Sequence, residues 1–172
     1  MSWAPDYSKI NGKKFRIFVD GSYNQHIGMG AIGYCFPKEY KGKKIKALQY
    51  DYSKLFQTSG SVDMEIMAIK KGLDAVKEVI EDNAFLKECA IRIKSDCIFV
   101  LKYILKGQKM EQDIHDYNED NLLLMSNIRK ELNEMKEQGY NIKISYIPKK
   151  FNFAHHYCYI PLRKEFEKIK VI

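Results

Sequence analysis

The sequence predicts a mixed α/β fold: one five-stranded sheet, its first three strands antiparallel, flanked by helices. Three observations carry that reading. In Phe15-Arg16-Ile17-Phe18-Val19 the residues Phe15, Ile17 and Val19 alternate with Arg16 and Phe18, the period of a pleated strand, and two further strand-like runs follow. The period then changes to steps of three and four at Ile66, Ile69, Leu73, Val76 and Ile80, which is an amphipathic helix. Finally, short alternating strands at 89–96 and 141–147 interleave with helical stretches, giving the order βββ-α-β-α-α-β-α of a mixed sheet.

Residues 1–13 form a polar lead-in ending at the Asn11-Gly12 turn, and residues 14–172 form the domain. The first strand runs out at Asp20, where Gly21 and Ser22 make a turn. Gly28 to Phe36 is the second strand. Its Gly-x-Gly spacing precedes β-prone residues and Pro37 instead of opening a helix, so it is not a phosphate-binding loop. Lys38 to Lys46 is a basic hairpin loop whose Lys38, Lys41, Lys43, Lys44 and Lys46 either contact phosphates or are simply solvated. Ala47 to Phe56 is the third strand. The long helix follows, with Ser61 as its N-cap and Asp63 and Glu65 in its first turn.

Cys89 to Asp96 is the fourth strand, and Asp96 also stands at the start of the helix Cys97–Lys106, which Gly107 stops. Residues 108–118 are a polar loop. Asn121 to Gln138 is a second long amphipathic helix closed by Gly139, and Asn141 to Ile147 is the last strand, ended by Pro148. Phe153 to Cys158 is helical up to Pro161, after which a basic helix ends the chain.

With 172 residues, 45% of them apolar and 30% charged, the chain has enough material for one packed core. The excess of 29 basic over 22 acidic residues favours a polyanionic partner, nucleic acid first. No apolar run is long enough to cross a bilayer, and the first residues lack a secretory pattern. Cys35, Cys89, Cys97 and Cys158 have no metal-type spacing and read as reduced thiols of a cytoplasmic protein. A monomer is expected.

Three acids at comparable junctions, Asp20, Glu65 and Asp96, are the candidate chemistry. Four segments around them resemble type 1 ribonuclease H: Phe18-Val19-Asp20-Gly21-Ser22, Gly28-Met29-Gly30-Ala31-Ile32-Gly33, Met64-Glu65-Ile66-Met67-Ala68 and Ser95-Asp96-Cys97-Ile98-Phe99-Val100. The similarity spans about residues 14 to 160 and implies a ribonuclease H-like fold. It also implies hydrolysis of the RNA strand of RNA–DNA hybrids, with Asp20, Glu65 and Asp96 as catalytic metal ligands. Two Mg²⁺ or Mn²⁺ ions in such a site would activate water and stabilise the departing oxygen. Gly21, Ser22, Asn24 and Ser61 are the positions implied to contact the hybrid, where 2′-hydroxyls distinguish RNA from DNA.

The chain departs from the family at its fourth acid, which ordinarily follows an Asn-x-x-Ala pattern. Here the stretch is Asn152-Phe153-Ala154-His155-His156-Tyr157-Cys158. Pairing Ala154 with the pattern places His155 there, the preferred alignment; pairing Asn152 places His156. Imidazole suits softer ions than Mg²⁺, which brings Mn²⁺ into consideration. The Lys149-Lys150 connection has no histidine, and the segment after Gly107 has no tryptophan-rich extension. A binding module without turnover, or a related nuclease acting on structured DNA, are the alternatives.

Overall fold

The computed structural model describes residues 13–58, 60–107 and 117–170, so all but the last residue of the lead-in and nearly all of the loop at 108–118 lie outside the described residues. In chain order the elements are β1 (Lys14–Asn24), β2 (Met29–Cys35), β3 (Glu39–Tyr40), β4 (Lys43–Lys44), β5 (Asp51–Gln57), α1 (Ser61–Asp82), β6 (Ala90–Ser95), α2 (Ile98–Lys106), α3 (Glu119–Glu137), β7 (Asn141–Tyr146) and α4 (His155–Lys170). Five strands make one sheet in the order β5-β2-β1-β6-β7. The β1–β2 and β2–β5 pairs are antiparallel, whereas β6 and β7 join in parallel. The expected mixed sheet, antiparallel in its first three main strands, is the observed one.

Alternation decides what each face meets. Phe15, Ile17 and Val19 of β1, Ile91 and Ile93 of β6 and Ile142 and Ile144 of β7 all enter one core with α1, α2 and α3. On the opposite face α4 packs against β2, β1 and β5, covering Phe18, Cys35 and Ala31. Outside the sheet, Lys70 and Lys77 of α1 clamp Glu131 of α3 at 2.8 and 2.6 Å.

Several boundaries differ from expectation, each for a local reason. β1 does not end at Asp20: its pairing with β2 continues to Asn24↔Met29, while its pairing with β6 stops at Phe18↔Lys94. Asp20 therefore sits mid-strand, at the point where the parallel half of the sheet opens. Gly21 is no turn residue. A Cβ there would overlap the backbone of Met64 and lie 2.6 Å from Glu65 N, so its bare backbone is what lets α1 approach the strand.

The basic loop folds into the small β3–β4 hairpin, turning at Lys41 (φ 51°) and Gly42 (φ 75°), and buries Tyr40 and Ile45. The third long strand begins at Asp51, not at Ala47. Ser61 is the first helical residue and Gly60 the cap, without a side-chain hydrogen bond. Glu65 is consequently the fifth residue of α1, beyond the first turn, where a dipole explanation for its position fails. Asn118 caps α3 by accepting from Asn121 N at 2.8 Å, so that helix starts two residues earlier than expected.

Pro161 lies inside α4 rather than ending a helix. Proline removes the N–H that would reach the carbonyl four residues back. That carbonyl belongs to Tyr157, and Ser53 Oγ donates to it at 2.6 Å, so the exposed edge of the sheet supplies the missing bond.

Candidate active site

β1 offers Asp20, the first residue after β6 offers Asp96, and α1, seated on Gly21, offers Glu65. One carboxylate oxygen from each lies within 4.8 Å of the others, a grouping able to hold a cation. Asp20 is buried, while Glu65 and Asp96 are half-buried. The donors are all carboxylate oxygens, the ligand chemistry of a hard divalent ion. Glu65 Oε2 is sealed from solvent and accepts no hydrogen bond among the described residues. An orphaned buried carboxylate oxygen is costly without a compensating charge, so these residues fit a metal.

Electrostatics agree. Burial first, then the charges of Asp20 and Asp96, hold the Glu65 carboxyl well above its ordinary value, against the pull of Lys149 and the Gly21 amide. Burial and Asp20 raise Asp96 to about 6, opposed by a hydrogen bond from Asn152 and by Lys149 and His155. Burial, followed by Glu65, raises the neighbouring Cys97 thiol to about 12, which leaves it protonated and no thiolate ligand.

The loop before α4 ties the site together. Asn152, buried, donates from Nδ2 to Val19 O at 2.9 Å and to Asp96 Oδ2 at 3.0 Å. Its Oδ1 accepts from Ala154 N at 3.1 Å, so one carboxamide orients Asp96, pins β1 and starts the helix. Cys158 Sγ donates to Asp20 O at 2.9 Å from the next turn. In the sequence Asn152 served only to align a pattern. Its capping position ahead of a helix was visible there, but its two partners, 56 and 133 residues away, were not.

His155 Nδ1 stands 3.0 Å from Asp20 Oδ2. A carboxylate oxygen only accepts, so Nδ1 carries the hydrogen and Nε2 remains as the second ring nitrogen. His156, exposed, has its ring centroid 6.3 Å from that of His155. Neither histidine joins the group of three carboxylates. Of the two alignments, the one placing His155 against the acids matches the geometry.

The expected substrate positions separate. Gly21 is buried against α1, and Ser22 pairs with Ala31 on the same face of β1 as Asp20. The Asn24 carboxamide oxygen accepts from His26 N at 2.9 Å, holding the turn into β2. Ser61 is exposed one helical turn before Glu65, on the same side of α1. The lysines of the β3–β4 hairpin do not reach the acids: Tyr40 packs on Phe15, five residues from Asp20 or roughly 17 Å along the strand.

A family model described as RNase H matches residues 12–153. No curated protein matches the sequence. Among solved structures the chain is similar to RNase H1 from the halophilic archaeon Halobacterium salinarum NRC-1, at 16% identity and TM-score 0.59, covering 88% of this chain and 98% of that one. The N-terminal RNase H domain of rv2228c from Mycobacterium tuberculosis, as a fusion with maltose binding protein, gives 14% identity and TM-score 0.61 over 92% and 99%. LC11-RNase H1 in complex with an RNA/DNA hybrid gives 13% identity and TM-score 0.57 over 88% and 99%. At these identities the likenesses establish the fold.

Proposed function

The chain belongs to the ribonuclease H family, and from that premise we propose that it is a metal-dependent endonuclease cutting the RNA strand of RNA–DNA hybrids. The observation that carries the reading is the meeting of Asp20, Glu65 and Asp96 around an unsatisfied buried oxygen of Glu65. These three side chains would hold divalent ions, Mg²⁺ or Mn²⁺, whose bound charge would activate water and stabilise the departing oxygen.

The chain's own residues set up that chemistry. Asn152 fixes the Asp96 carboxyl, leaving its second oxygen to face the ligand. His155 orients Asp20 through Nδ1 and keeps Nε2 to exchange a proton at the rim of the site. Lys149, whose charge already acts on Glu65 and Asp96, faces an incoming phosphate. Ser22, Asn24 and Ser61, with the Gly21 backbone, are the polar groups offered to the ribose hydroxyls.

The test is cleavage of end-labelled hybrid, double-stranded RNA and branched DNA with Mg²⁺ or Mn²⁺, for wild type and Asp20→Asn. RNA-strand cutting confined to hybrid and abolished by Asp20→Asn supports the proposal. Cutting of branched DNA instead would replace it with a structured-DNA nuclease. The presence of His155 where the family carries an acid favours one competing reading, a binding module without turnover. Hybrid binding with no cleavage in either metal would establish that alternative.

A further inference from the structure

His155 is anchored by its backbone, whereas its ring can still turn. Its amide donates to Asn152 O at 3.1 Å, which fixes where the residue sits at the start of α4. The imidazole meets Asp20 Oδ2 through Nδ1 at 3.0 Å, and two side-chain torsions decide whether that contact is made. Asp20, at the other end, is fixed twice over. Its Oδ1 accepts from Gly21 N at 3.0 Å, and its carbonyl accepts from Cys158 Sγ at 2.9 Å. The geometry of the pair therefore depends on what holds the imidazole plane.

The next turns of α4 supply that support. Tyr159 stands four residues on, and helical side chains lean toward the N-terminus, so its ring lies back over the turn that carries His155. The two rings are near-parallel, at 24° with centroids 5.6 Å apart. Arg163, four residues further, repeats the relation. Its guanidinium carbon is 6.0 Å from the centre of the Tyr159 ring, and Nη1 donates to the Tyr159 hydroxyl at 3.5 Å. Imidazole, phenol and guanidinium thus form a column on one face of the helix, beginning at Asp20. The neighbouring His156 ring is inclined at 63° to that of His155 and does not continue the column.

Tyr159 is exposed, yet along the helix axis it is flanked by His155 on one side and Arg163 on the other. A nucleic-acid base seeking a stacking platform finds those sides taken. Tyr159 also borders an apolar hollow with Leu55, Ile160 and Pro161, a place that any apolar side chain could fill. What the aromatic ring adds is the flat contact with imidazole, a geometry that is favourable beyond the area it buries.

We propose that Tyr159 is a positioning residue: its ring, braced by Arg163, holds the His155 imidazole with Nδ1 on Asp20 and Nε2 at the rim of the site. That this ring then serves turnover rests on the nuclease reading above; that Tyr159 fixes it rests on the stack alone.

The experiment follows the His155 ring nitrogens by NMR in metal-free protein with the ring neutral, and hybrid cleavage with Mg²⁺, for wild type, Tyr159→Leu and Tyr159→Phe. Leucine keeps the apolar contact and removes the ring; phenylalanine keeps the ring. Wild type should carry the hydrogen on Nδ1. In Tyr159→Leu much of it should move to Nε2, because an imidazole that leaves its carboxylate loses the bond that sets its tautomer. There kcat should fall about three- to tenfold, the share of one aromatic pair, with KM unchanged. Tyr159→Phe should restore both readouts. Wild-type nitrogen shifts or an unchanged kcat in Tyr159→Leu would overturn the proposal. So would a rise in KM alone, which would make Tyr159 a substrate contact, or a Tyr159→Phe that behaves like leucine. Should Tyr159→Leu fail to fold, Tyr159→Gln is read by the same criteria. If the wild type cuts no hybrid, the nuclease reading falls, and the nitrogen spectra still decide whether Tyr159 holds the ring.

Discussion

In metal-free protein, replacing Asp96 by asparagine should remove a pH-dependent penalty that the wild type carries. Burial and the Asp20 charge hold the Asp96 carboxyl at about 6 against an ordinary 3.8. An acid with a raised folded-state value binds its proton more tightly in the native protein than in the unfolded chain. Stability therefore falls as pH rises through the window from about 4 to about 6. At about 1.4 kcal/mol per tenfold difference in proton affinity, the ceiling is about 3 kcal/mol. Solvent at this half-buried group brings the expectation to about 1–2 kcal/mol. Asparagine keeps an oxygen for Asn152 Nδ2, so the comparison isolates charge. Urea unfolding of both proteins with chelator, across that range, gives the difference directly. The wild type should lose ground to the variant as pH rises and recover it on adding Mg²⁺. A difference flat with pH, or one moving in the wild type's favour, would refute the reasoning.

Three further substitutions probe how the site and its supporting helix are built. Gly21→Ala pushes a methyl group into the Met64 backbone and should cost on the order of 3 kcal/mol, with loss of metal affinity, by thermal melting and Mn²⁺ titration. A variant as stable as wild type would show that α1 can move off the strand. Ser53→Ala strips the Tyr157 carbonyl of its donor at the Pro161 break and should cost about 0.5–1 kcal/mol, because water reaches this edge. Restoring the backbone donor with Pro161→Ala should then cancel most of that loss, and persistence of the full loss would contradict the account.

The features legible in the sequence are those set by short-range periodicity. The alternation of Phe15, Ile17 and Val19 and the three-four spacing from Ile66 to Ile80 gave the layers of the fold, because burial follows the strand and helix periods directly. Asp20, Glu65 and Asp96 were singled out, and the structure brings them together. What the sequence hid depends on contacts between distant segments. Gly21 looked like a turn because nothing local reveals that Met64 will press against it. Pro161 looked like a break because the donor that rescues Tyr157 sits more than a hundred residues away. The run Lys38–Lys46 drew attention as a basic stretch, yet it folds at the far end of β1.

The central claim is that three separated carboxyl groups form one divalent-cation site. Mn²⁺ titration followed by electron paramagnetic resonance, on wild type, Asp20→Asn and Glu65→Gln, tests it most directly. The account predicts saturable Mn²⁺ binding by the wild type that Mg²⁺ displaces and that each variant weakens by tenfold or more. Equal Mn²⁺ affinity in all three proteins would contradict it.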